Sequence, residues 1–176
     1  MYRDELKRKL LDIDEEASLV FGDLDGKLDA VVVGGSVFIL RSLTERAVTH
    51  DIDIFEMDAR LRSIISAYPE VNEHSAIFCN QMPYNYPDRL VEMDLDTKAV
   101  RYLSPSLEDL AVMKLYAYRP NDRSDLNSPN FVDKLDWDKL DHLVYSKDEA
   151  LASSPSERSY AEMVCAYKIY RKEHGK

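Results

Sequence analysis

The chain has 176 residues, of which 45% are hydrophobic and 32% are charged, and its formal net charge is -10 at pH 7. This composition is that of a folded globular protein and excludes an intrinsically disordered chain, while the length suits one domain with room for a small helical appendage. The acidic balance argues against broad, charge-driven binding to nucleic acid or to an anionic membrane surface, although a local basic patch or a bound metal ion would still permit a nucleic acid substrate.

The first elements along the chain are predicted to be a helix, a buried strand and a second helix. Apolar residues recur at three- and four-residue steps over residues 2–21, which predicts an amphipathic helix. Residues 22–26 form a turn, and the continuous apolar run over 28–33 is typical of a strand buried on both faces. Ser36 is placed to cap a helix over residues 36–43.

A second strand, predicted over residues 47–55, carries Asp51 and Asp53 two residues apart. Because side chains alternate along a strand, both carboxylates lie on one face and His50 points away from them. Neighbouring acids repel each other unless a cation lies between them. Mg²⁺ suits this position, since it prefers oxygen ligands and commonly takes one or two carboxylates together with substrate phosphates. Asp51 and Asp53 are therefore candidate metal ligands.

A glycine turn, Gly34-Gly35-Ser36, separates the first strand from the helix that follows it. Glycines let backbone N–H groups approach a phosphate closely, and a helix N-terminus favours negative charge. Taken alone, this sequence is more often a tight turn than a phosphate site. With the acidic pair on the next strand, Gly34, Gly35 and Ser36 become candidate phosphate-binding residues.

Short helices and strands alternate over the next part of the chain. A helix capped by Asp58 is predicted over 58–68, strands over 75–79, 89–96 and 100–103, and a loop over 81–87. The strand over 89–96 has one apolar face and three acids on the other. It is either an ordinary solvated strand or a second wall of an acidic metal site.

Helices dominate the C-terminal part. Ser106 is the predicted cap of a helix that ends before Pro120, and further helices are predicted over 131–144 and 156–171. Strands and helices intermingle early and helices follow late, which indicates an α/β or α+β fold with a helical C-terminal part. The expected organisation is a core over 1–126 with a helical extension over 127–176 packed on the same domain.

The cysteines and the hydropathy pattern point to one compartment. Cys79 and Cys165 stand in apolar surroundings without metal-ligand spacing, which is typical of buried, reduced thiols inside cells. No apolar run approaches the roughly 20 residues of a membrane span, and the N-terminus lacks the apolar core of a signal peptide. We therefore expect a cytoplasmic protein with no membrane partner.

Together these residues resemble the nucleotidyltransferase superfamily, the Pol β-like fold. Its signature is an apolar strand, Gly-Gly or Gly-Ser, a short helix, and D-x-D on the next strand. Within this superfamily the chain is similar to the AbiEii-like bacterial toxin-type branch. The matching stretches are RAVTHDID at 46–53, LSPSLEDLAVMKLYAYR at 103–119 and DRSDL at 122–126. The resemblance covers residues 31–126 and implies a mixed sheet flanked by helices.

The resemblance also implies a reaction, the Mg²⁺-dependent transfer of a nucleotidyl group from an NTP to an acceptor hydroxyl. Asp51 and Asp53 would ligate the metal, and Gly35 and Ser36 would hold the terminal phosphates. The acceptor expected from the toxin relatives is RNA, tRNA in particular, or a protein. The expected partner is a cognate antitoxin or toxin.

The helical part contributes further candidates by the same resemblance. Lys114 would offset phosphate charge, and Asp122 or Asp125 would act on that lysine or on the nucleotide. Read without the resemblance, a lysine beside an apolar stripe reaches towards solvent, and the two acids cap a short helix. Many members also supply a third carboxylate from a neighbouring strand. Strand parity offers Glu92 and Asp94, and we assign Glu92 to the metal.

Two other functions stay open. A catalytically inactive domain of the same fold would serve as a binding or regulatory protein, with its acidic surface facing a basic partner. An acid within metal-ligand distance of Asp51 and Asp53 would favour the enzyme instead. Transfer to a small-molecule acceptor would be supported by a deep pocket lined by acids. Arg46 and Thr49 are interpreted as structural supports of the acidic strand.

Overall fold

The computed structural model describes residues 1–22, 25–72 and 81–176. Within these residues the fold is mixed α/β with a helical C-terminal part, as predicted. The chain divides into two units, the first described over 1–22, 25–72 and 90–105, and the second over 81–89 and 106–176. The helix that follows Pro105 belongs to the second unit, because it packs with later helices. Cys79, the predicted strand over 75–79 and part of the turn over 22–26 lie outside the described residues. Cys165 is exposed, so the prediction of a buried thiol is wrong for this residue.

The first unit contains a five-stranded mixed sheet and its helices. In chain order the elements are α1 (Arg3–Phe21), β1 (Leu28–Val33), α2 (Gly34–Leu40), β2 (Ile52–Met57), a 3-10 turn (Ala59–Leu61), α3 (Arg62–Ile65), β3 (Val71–Asn72), β4 (Val91–Glu92) and β5 (Val100–Ser104). The strand order is β3-β2-β1-β5-β4. Strand β1 runs antiparallel to β2 and parallel to β5, while β3 is parallel to β2 and β4 antiparallel to β5.

Helix α1 covers one face of this sheet with the apolar stripe that the sequence predicts. Its stripe residues are fully buried: Leu6, Leu10, Ile13 and Ala17. The same helix also buries Asp14, whose carboxylate accepts the backbone N–H groups of residues 98–100 at 2.7 to 2.9 Å. Tyr102 in β5 donates its hydroxyl to the carbonyl of Leu10 at 2.8 Å. Helix α1 is thus fixed to the start of β5 by polar bonds as well as by apolar burial.

The opposite side of the sheet, here called the far face, carries the charged residues Asp29, Arg101 and Asp53 beside apolar ones. Tyr102 points to α1, so its neighbours Arg101 and Leu103 point away. Cross-strand partners share a face, and the register pairs Asp29 with Arg101 and Val31 with Leu103. Val33 follows Val31 on this face and pairs with Asp53 in β2. The acidic strand therefore presents Asp53 to the far face.

Two strands are shorter than the sequence predicts. Strand β2 begins at Ile52 and not at residue 47, because the neighbouring strands pair only with residues 52–57. Strand β4 pairs only Val91 and Glu92 with β5, in place of the predicted 89–96. It ends there because the N–H of Leu95 bonds to the carbonyl of Met93 at 2.8 Å and turns the chain.

A residue just after helix α2 has a backbone conformation that suits glycine better than serine. Ser42 is exposed and has a φ of +54°, in the left-handed region. We expect Ser42→Gly to raise the free energy of unfolding by about 0.5–1 kcal/mol, because relief of the Cβ strain exceeds the entropy cost of glycine in the unfolded chain. Urea denaturation checks this. Ser42→Ala, which keeps the Cβ, is the control, and equal gains in both variants would contradict the explanation.

The second unit is helical among its described residues. It comprises a 3-10 turn (Tyr86–Arg89), α4 (Leu107–Ala117), α5 (Pro120–Leu126), α6 (Pro129–Val132), α7 (Trp137–Tyr145), α8 (Ala150–Ser153) and α9 (Glu157–Glu173). Ser106 caps α4 as predicted, accepting the N–H of Asp109 at 3.2 Å. The helix predicted over 131–144 is two helices, because Asp136 accepts the N–H of Lys139 and starts α7 anew. No helix among the described residues is long and apolar enough to cross a membrane.

Candidate functional site

The glycine turn and the acidic strand lie side by side at the end of β1. Val33, the last residue of β1, pairs with Asp53, so the chain enters the turn beside the Asp53 side chain. Gly34 has a φ of +68°, which L side chains rarely adopt. A Cβ at residue 34 would lie 3.0 Å from Cγ of Asp53 and would collide with its Oδ2. Glycine is therefore required at position 34 for its conformation and for the space that the Asp53 carboxylate occupies.

The Asp53 carboxylate is also oriented from the other side. Asn72 pairs with Asp53 across β3 and β2, and its Nδ2 donates to Oδ1 of Asp53 at 2.9 Å. Asp51 and Asp53 are both half-buried, whereas Ile52 and Ile54 are buried. This is the alternation predicted from the sequence. Asp51 stands one residue before the start of β2, so Asp53 is the acid that the strand register places on the far face.

A guanidinium lies on the second glycine of the turn. A Cβ at Gly35 would lie 3.2 Å from Cζ and from Nη1 of Arg46, and would collide with Nη2. The backbone N–H of Arg46 donates to Oγ1 of Thr44 at 3.2 Å. Two opposite charges therefore lie against adjacent glycines: the Asp53 carboxylate against Gly34 and the Arg46 guanidinium against Gly35. Sequence reasoning gave Arg46 only a supporting role, because nothing in the local pattern indicates which backbone its side chain contacts.

Ser36 has a different place from the one predicted. Helix α2 begins at Gly34 with Val33 as its N-cap, so Ser36 lies inside the first turn and does not cap the helix. Its side chain is fully buried, and its hydroxyl donates to the carbonyl of Val33 at 2.9 Å. Ser36 therefore fixes the turn from within. Its hydroxyl is not presented to a phosphate, whereas Gly34 and Gly35 are half-buried.

Glu92, the predicted third metal ligand, is not brought to the acidic pair. It is an exposed residue of β4 that pairs with Leu103. Strands β1 and β5 lie between β4 and β2, so three inter-strand spacings, or about 14 Å, separate its backbone from that of Asp53. One Mg²⁺ ion, with metal–oxygen distances near 2.1 Å, cannot bind both. Parity placed Glu92 on the correct face, but strand order places it on a distant strand. Asn72 stands beside Asp53 instead.

The donor set available to a metal is therefore a pair of carboxylates. Among the described residues, no group of three or more His, Cys, Asp or Glu side chains could hold a metal ion. Asp51 and Asp53 nevertheless fit Mg²⁺, since this ion commonly takes one or two carboxylates and completes its shell with water and substrate phosphates. The residues present suit a metal that arrives with a triphosphate.

A pocket of about 350 Å³ lies farther along the far face of the sheet. Its lining includes Val31 and Leu103 from the strand centres and four charged residues: Lys27, Asp29, Glu56 and Asp58. The volume is at the lower end of the range for small-molecule sites. The pocket could hold a small polar group, and its lining is acidic on balance.

In the second unit the structure brings Lys114, Asp122 and Asp125 together. The Lys114 ammonium, at the end of α4, lies 3.1 Å from Oδ1 of Asp122 and 2.8 Å from Oδ2 of Asp125 on α5. Each residue is at most 6% exposed. The apolar stripe beside Lys114 suggests a lysine that reaches towards solvent, but in the structure its side chain is buried. It is held in a buried ionic triad.

The charge state of Asp122 follows from its partners. Burial alone would raise the pKa of Asp122, but hydrogen bonds from Arg119 and the charge of Lys114 outweigh burial and hold that pKa below its ordinary value. Arg119 contributes both its Nε at 2.7 Å and its backbone N–H at 3.2 Å. Asp122 is therefore a carboxylate at neutral pH. It acts as a charge partner and has no proton to donate.

A second buried ionic cluster escaped the sequence reasoning. Arg89 binds the carboxylate of Asp109 with Nε and Nη2 and that of Glu149 with Nη1 and Nη2, at 2.8 to 3.2 Å. Asp109 lies in the first turn of α4. Its buried carboxylate also accepts the hydroxyl of Ser106 at 2.6 Å. No spacing in the sequence links positions 89, 109 and 149, so no local signal could have found this cluster.

The comparisons with known proteins support the superfamily of the chain and do not test the individual residues of this site. The model of the family described as "Nucleotidyltransferase of unknown function (DUF6036)" matches residues 8–174, which include both units. No curated protein and no solved structure matches the chain. The match supports the resemblance to the nucleotidyltransferase superfamily, whose glycine turn and acidic strand are here in contact. The chain belongs to the nucleotidyltransferases of unknown function (DUF6036).

Proposed function

We propose that this protein is a Mg²⁺-dependent nucleotidyltransferase that moves a nucleotidyl group from an NTP to an acceptor hydroxyl. The observation that carries the proposal is the contact of the Asp53 carboxylate with Gly34, in a turn whose next residue contacts the Arg46 guanidinium. A turn without side chains, a metal-binding acid and a cation thus meet in one small area of the first unit.

Different residues of this area bind the metal ion and the phosphates. Asp51 and Asp53 hold Mg²⁺, and Asn72 fixes the orientation of Asp53 through the 2.9 Å hydrogen bond. When bound, Mg²⁺ neutralises triphosphate charge and polarises the α-phosphate. The phosphates bind beside the turn of Gly34 and Gly35, where the space left by the missing Cβ atoms is taken by the Asp53 carboxylate and the Arg46 guanidinium. The acceptor oxygen bonds to the α-phosphorus, the bond to the bridging oxygen breaks, and pyrophosphate leaves with the electron pair while the acceptor proton passes to solvent.

Lys114 and Asp122 take a positioning role in this proposal. The ammonium is buried between two carboxylates, so exposing it to a phosphate would break two ion pairs in a site of low dielectric. In this arrangement the triad holds α4 and α5 together. The role that the resemblance implies, direct contact with phosphate, requires the triad to open.

The acceptor and partner follow from the resemblance to the AbiEii-like branch. The proposed acceptor is RNA, tRNA in particular, or a protein, and the proposed partner is a cognate antitoxin or toxin. The net charge of -10 means that an RNA acceptor has to be held locally and not by the surface as a whole. Because the first unit also has a pocket lined by Lys27, Asp29, Glu56 and Asp58, a small-molecule acceptor has to be tested beside RNA and protein.

The test is label transfer from each α-labelled NTP, with Mg²⁺, to total tRNA, cell lysate or a panel of small polyhydroxylated amines. We expect label on one acceptor from one nucleotide. Asp51→Asn/Asp53→Asn should reduce transfer by at least about a hundredfold, because the isosteric amides keep the shape and lose the metal. Asp94→Asn, which changes an exposed acid that follows β4, is the matched control and should transfer normally.

Glu92→Gln tests whether Glu92 is a metal ligand, as strand parity predicts, or lies too far from Asp53, as the strand order indicates. Since Glu92 lies three strands from Asp53, this variant should keep wild-type transfer and wild-type Mg²⁺ dependence. Titration of transfer against Mg²⁺ concentration measures both. A hundredfold loss in Glu92→Gln would show that the carboxylate reaches the metal, and would contradict the strand order as the guide to the ligand set.

A catalytically inactive binding or regulatory protein of the same fold is the second candidate. It is favoured by Asn72, an amide that stands beside Asp53 where a neighbouring strand would supply a third carboxylate. In that case the protein transfers no label and forms a stable complex with a basic partner. Absence of transfer together with absence of Mg²⁺-dependent NTP binding in calorimetry would overturn the catalytic proposal.

A further inference from the structure

We propose that Arg46 is the residue that binds the triphosphate, and that it does so across the glycine turn from the metal-binding acids. The inference rests on the proposed function and names the side chain that recognises the phosphates of the same site. It replaces Ser36, whose buried hydroxyl is bonded to the carbonyl of Val33.

The position of the guanidinium is defined by the backbone it touches. Its Cζ and Nη1 lie 3.2 Å from where a Cβ of residue 35 would be, so the group lies directly on Gly35. The loop that carries Arg46 is anchored on both sides, by Leu43, which is 2% exposed, and by Thr49, which is 8% exposed. Arg46 itself is half-buried. The anchored loop thus holds the guanidinium against the turn.

The charges at the turn match those of a metal–triphosphate complex. Such a complex presents a cation at one point and anionic oxygens a few ångströms away. The turn presents the Asp53 carboxylate at Gly34 and the Arg46 guanidinium at Gly35, in the complementary order. A guanidinium is suited to this task because its planar array of donors can bind two phosphate oxygens at once.

A purely structural arginine would also lie close to backbone, so the two roles have to be separated by their consequences. A structural Arg46 would affect folding and would weaken the binding of all ligands of the site alike. A phosphate-binding Arg46 would distinguish ligands by their number of phosphates. The residue at position 35 offers an independent handle, because a Cβ there displaces the guanidinium without removing its charge.

The experiment is calorimetry in Mg²⁺ with the non-hydrolysable α,β-methylene analogues of ATP, GTP, CTP and UTP, beside the corresponding monophosphates. We expect Arg46→Gln to weaken binding of the preferred triphosphate analogue by about tenfold or more, and binding of its monophosphate by less than about twofold. Arg46→Lys should fall between, since an ammonium lacks the bidentate geometry. Gly35→Ala should reproduce the loss, and Gly35→Ala/Arg46→Gln should add nothing further.

The matched control is Arg101→Gln, which removes an exposed arginine on the same face of the sheet that pairs with Asp29. It should leave the affinity for the triphosphate analogue unchanged. Unfolding curves for each variant show whether it is folded. If the wild type binds the analogue and Arg46→Gln binds it equally well, the inference falls while the proposed function stands. Equal losses for triphosphate and monophosphate would assign Arg46 to the fold and would also overturn it. If the wild type binds none of the four analogues, the inference falls, and the proposed function falls with it when label transfer is absent as well.

Discussion

Replacing Lys114 by methionine is expected to lower the free energy of unfolding by about 3–5 kcal/mol, the cost typical of removing one member of a buried ionic group. The ammonium lies 3.1 Å from Asp122 and 2.8 Å from Asp125, and the three residues are at most 6% exposed. Without it, two buried carboxylates face each other, and Arg119 offsets the charge of Asp122. Urea denaturation at pH 7 measures the loss. Lys168→Met, on the exposed side of α9, is the control and should stay within about 0.5 kcal/mol of wild type.

The cause of this loss can be isolated by neutralising the acids as well. In Lys114→Met/Asp122→Asn/Asp125→Asn the uncompensated charges are gone while the volumes are nearly kept. We expect this triple variant to be more stable than Lys114→Met, because leaving a buried charge unpaired costs more than removing a whole ionic group. A triple variant no more stable than Lys114→Met would show that the packing of the lysine stem, and not its charge, holds α4 to α5.

Acid should remove the part of this stability that Asp122 supplies. Its pKa is below the ordinary value of 3.8 in the folded protein, so its contribution is fully present above that value and is lost as the pH falls through the lower folded pKa. The difference in unfolding free energy between wild type and Asp122→Asn should therefore be constant from pH 7 to about pH 5 and shrink below the ordinary pKa. A difference that does not change with pH would contradict the assignment of Asp122 as an ionised partner.

The features that could be predicted from the sequence are those that depend on residues close together in the chain. The stripe of α1, the apolar run of β1 and the Ser106 cap are local patterns, and the structure contains each of them. The carboxylate of Asp14 could not be placed in this way, because its hydrogen bonds reach residues 84 to 86 positions away. Burying a charged group costs free energy unless it has a hydrogen-bonding partner, and for Asp14 only the tertiary structure supplies one.

The candidate site shows the same division. The glycine turn and the acidic strand are adjacent elements of the chain, so Gly34 and Asp53 could be predicted from the sequence as parts of one candidate site. Strand parity assigned Glu92 to a face but could not assign it to a strand, since the strand order is set by the whole sheet. A shift of two residues in the start of α2 turned Ser36 inwards. Helix ends are where local signals are weakest, and there one residue decides which side chains face outwards.

Gly34→Ala is expected to be the single substitution that most damages the site. The left-handed φ of +68° costs a Cβ about 1–2 kcal/mol. In addition, the new methyl group would collide with the Asp53 carboxylate and displace it. We expect nucleotidyl transfer, or Mg²⁺-dependent NTP binding where transfer is too slow to follow, to fall by at least about a hundredfold, because the displaced carboxylate loses its metal geometry.

Gly22→Ala is the matched control for the backbone effect. Gly22 has a φ of +63°, nearly that of Gly34, but among the described residues a Cβ there would meet nothing within 4 Å. It should therefore lose about 1–2 kcal/mol of stability and keep its NTP binding. Gly34→Ala should lose more than this, and the excess should vanish in an Asp53→Ala background, where the collision no longer exists. If the excess persists without the carboxylate, Gly34 serves the turn alone. If it vanishes together with metal-dependent binding, the space above Gly34 exists to hold the acid.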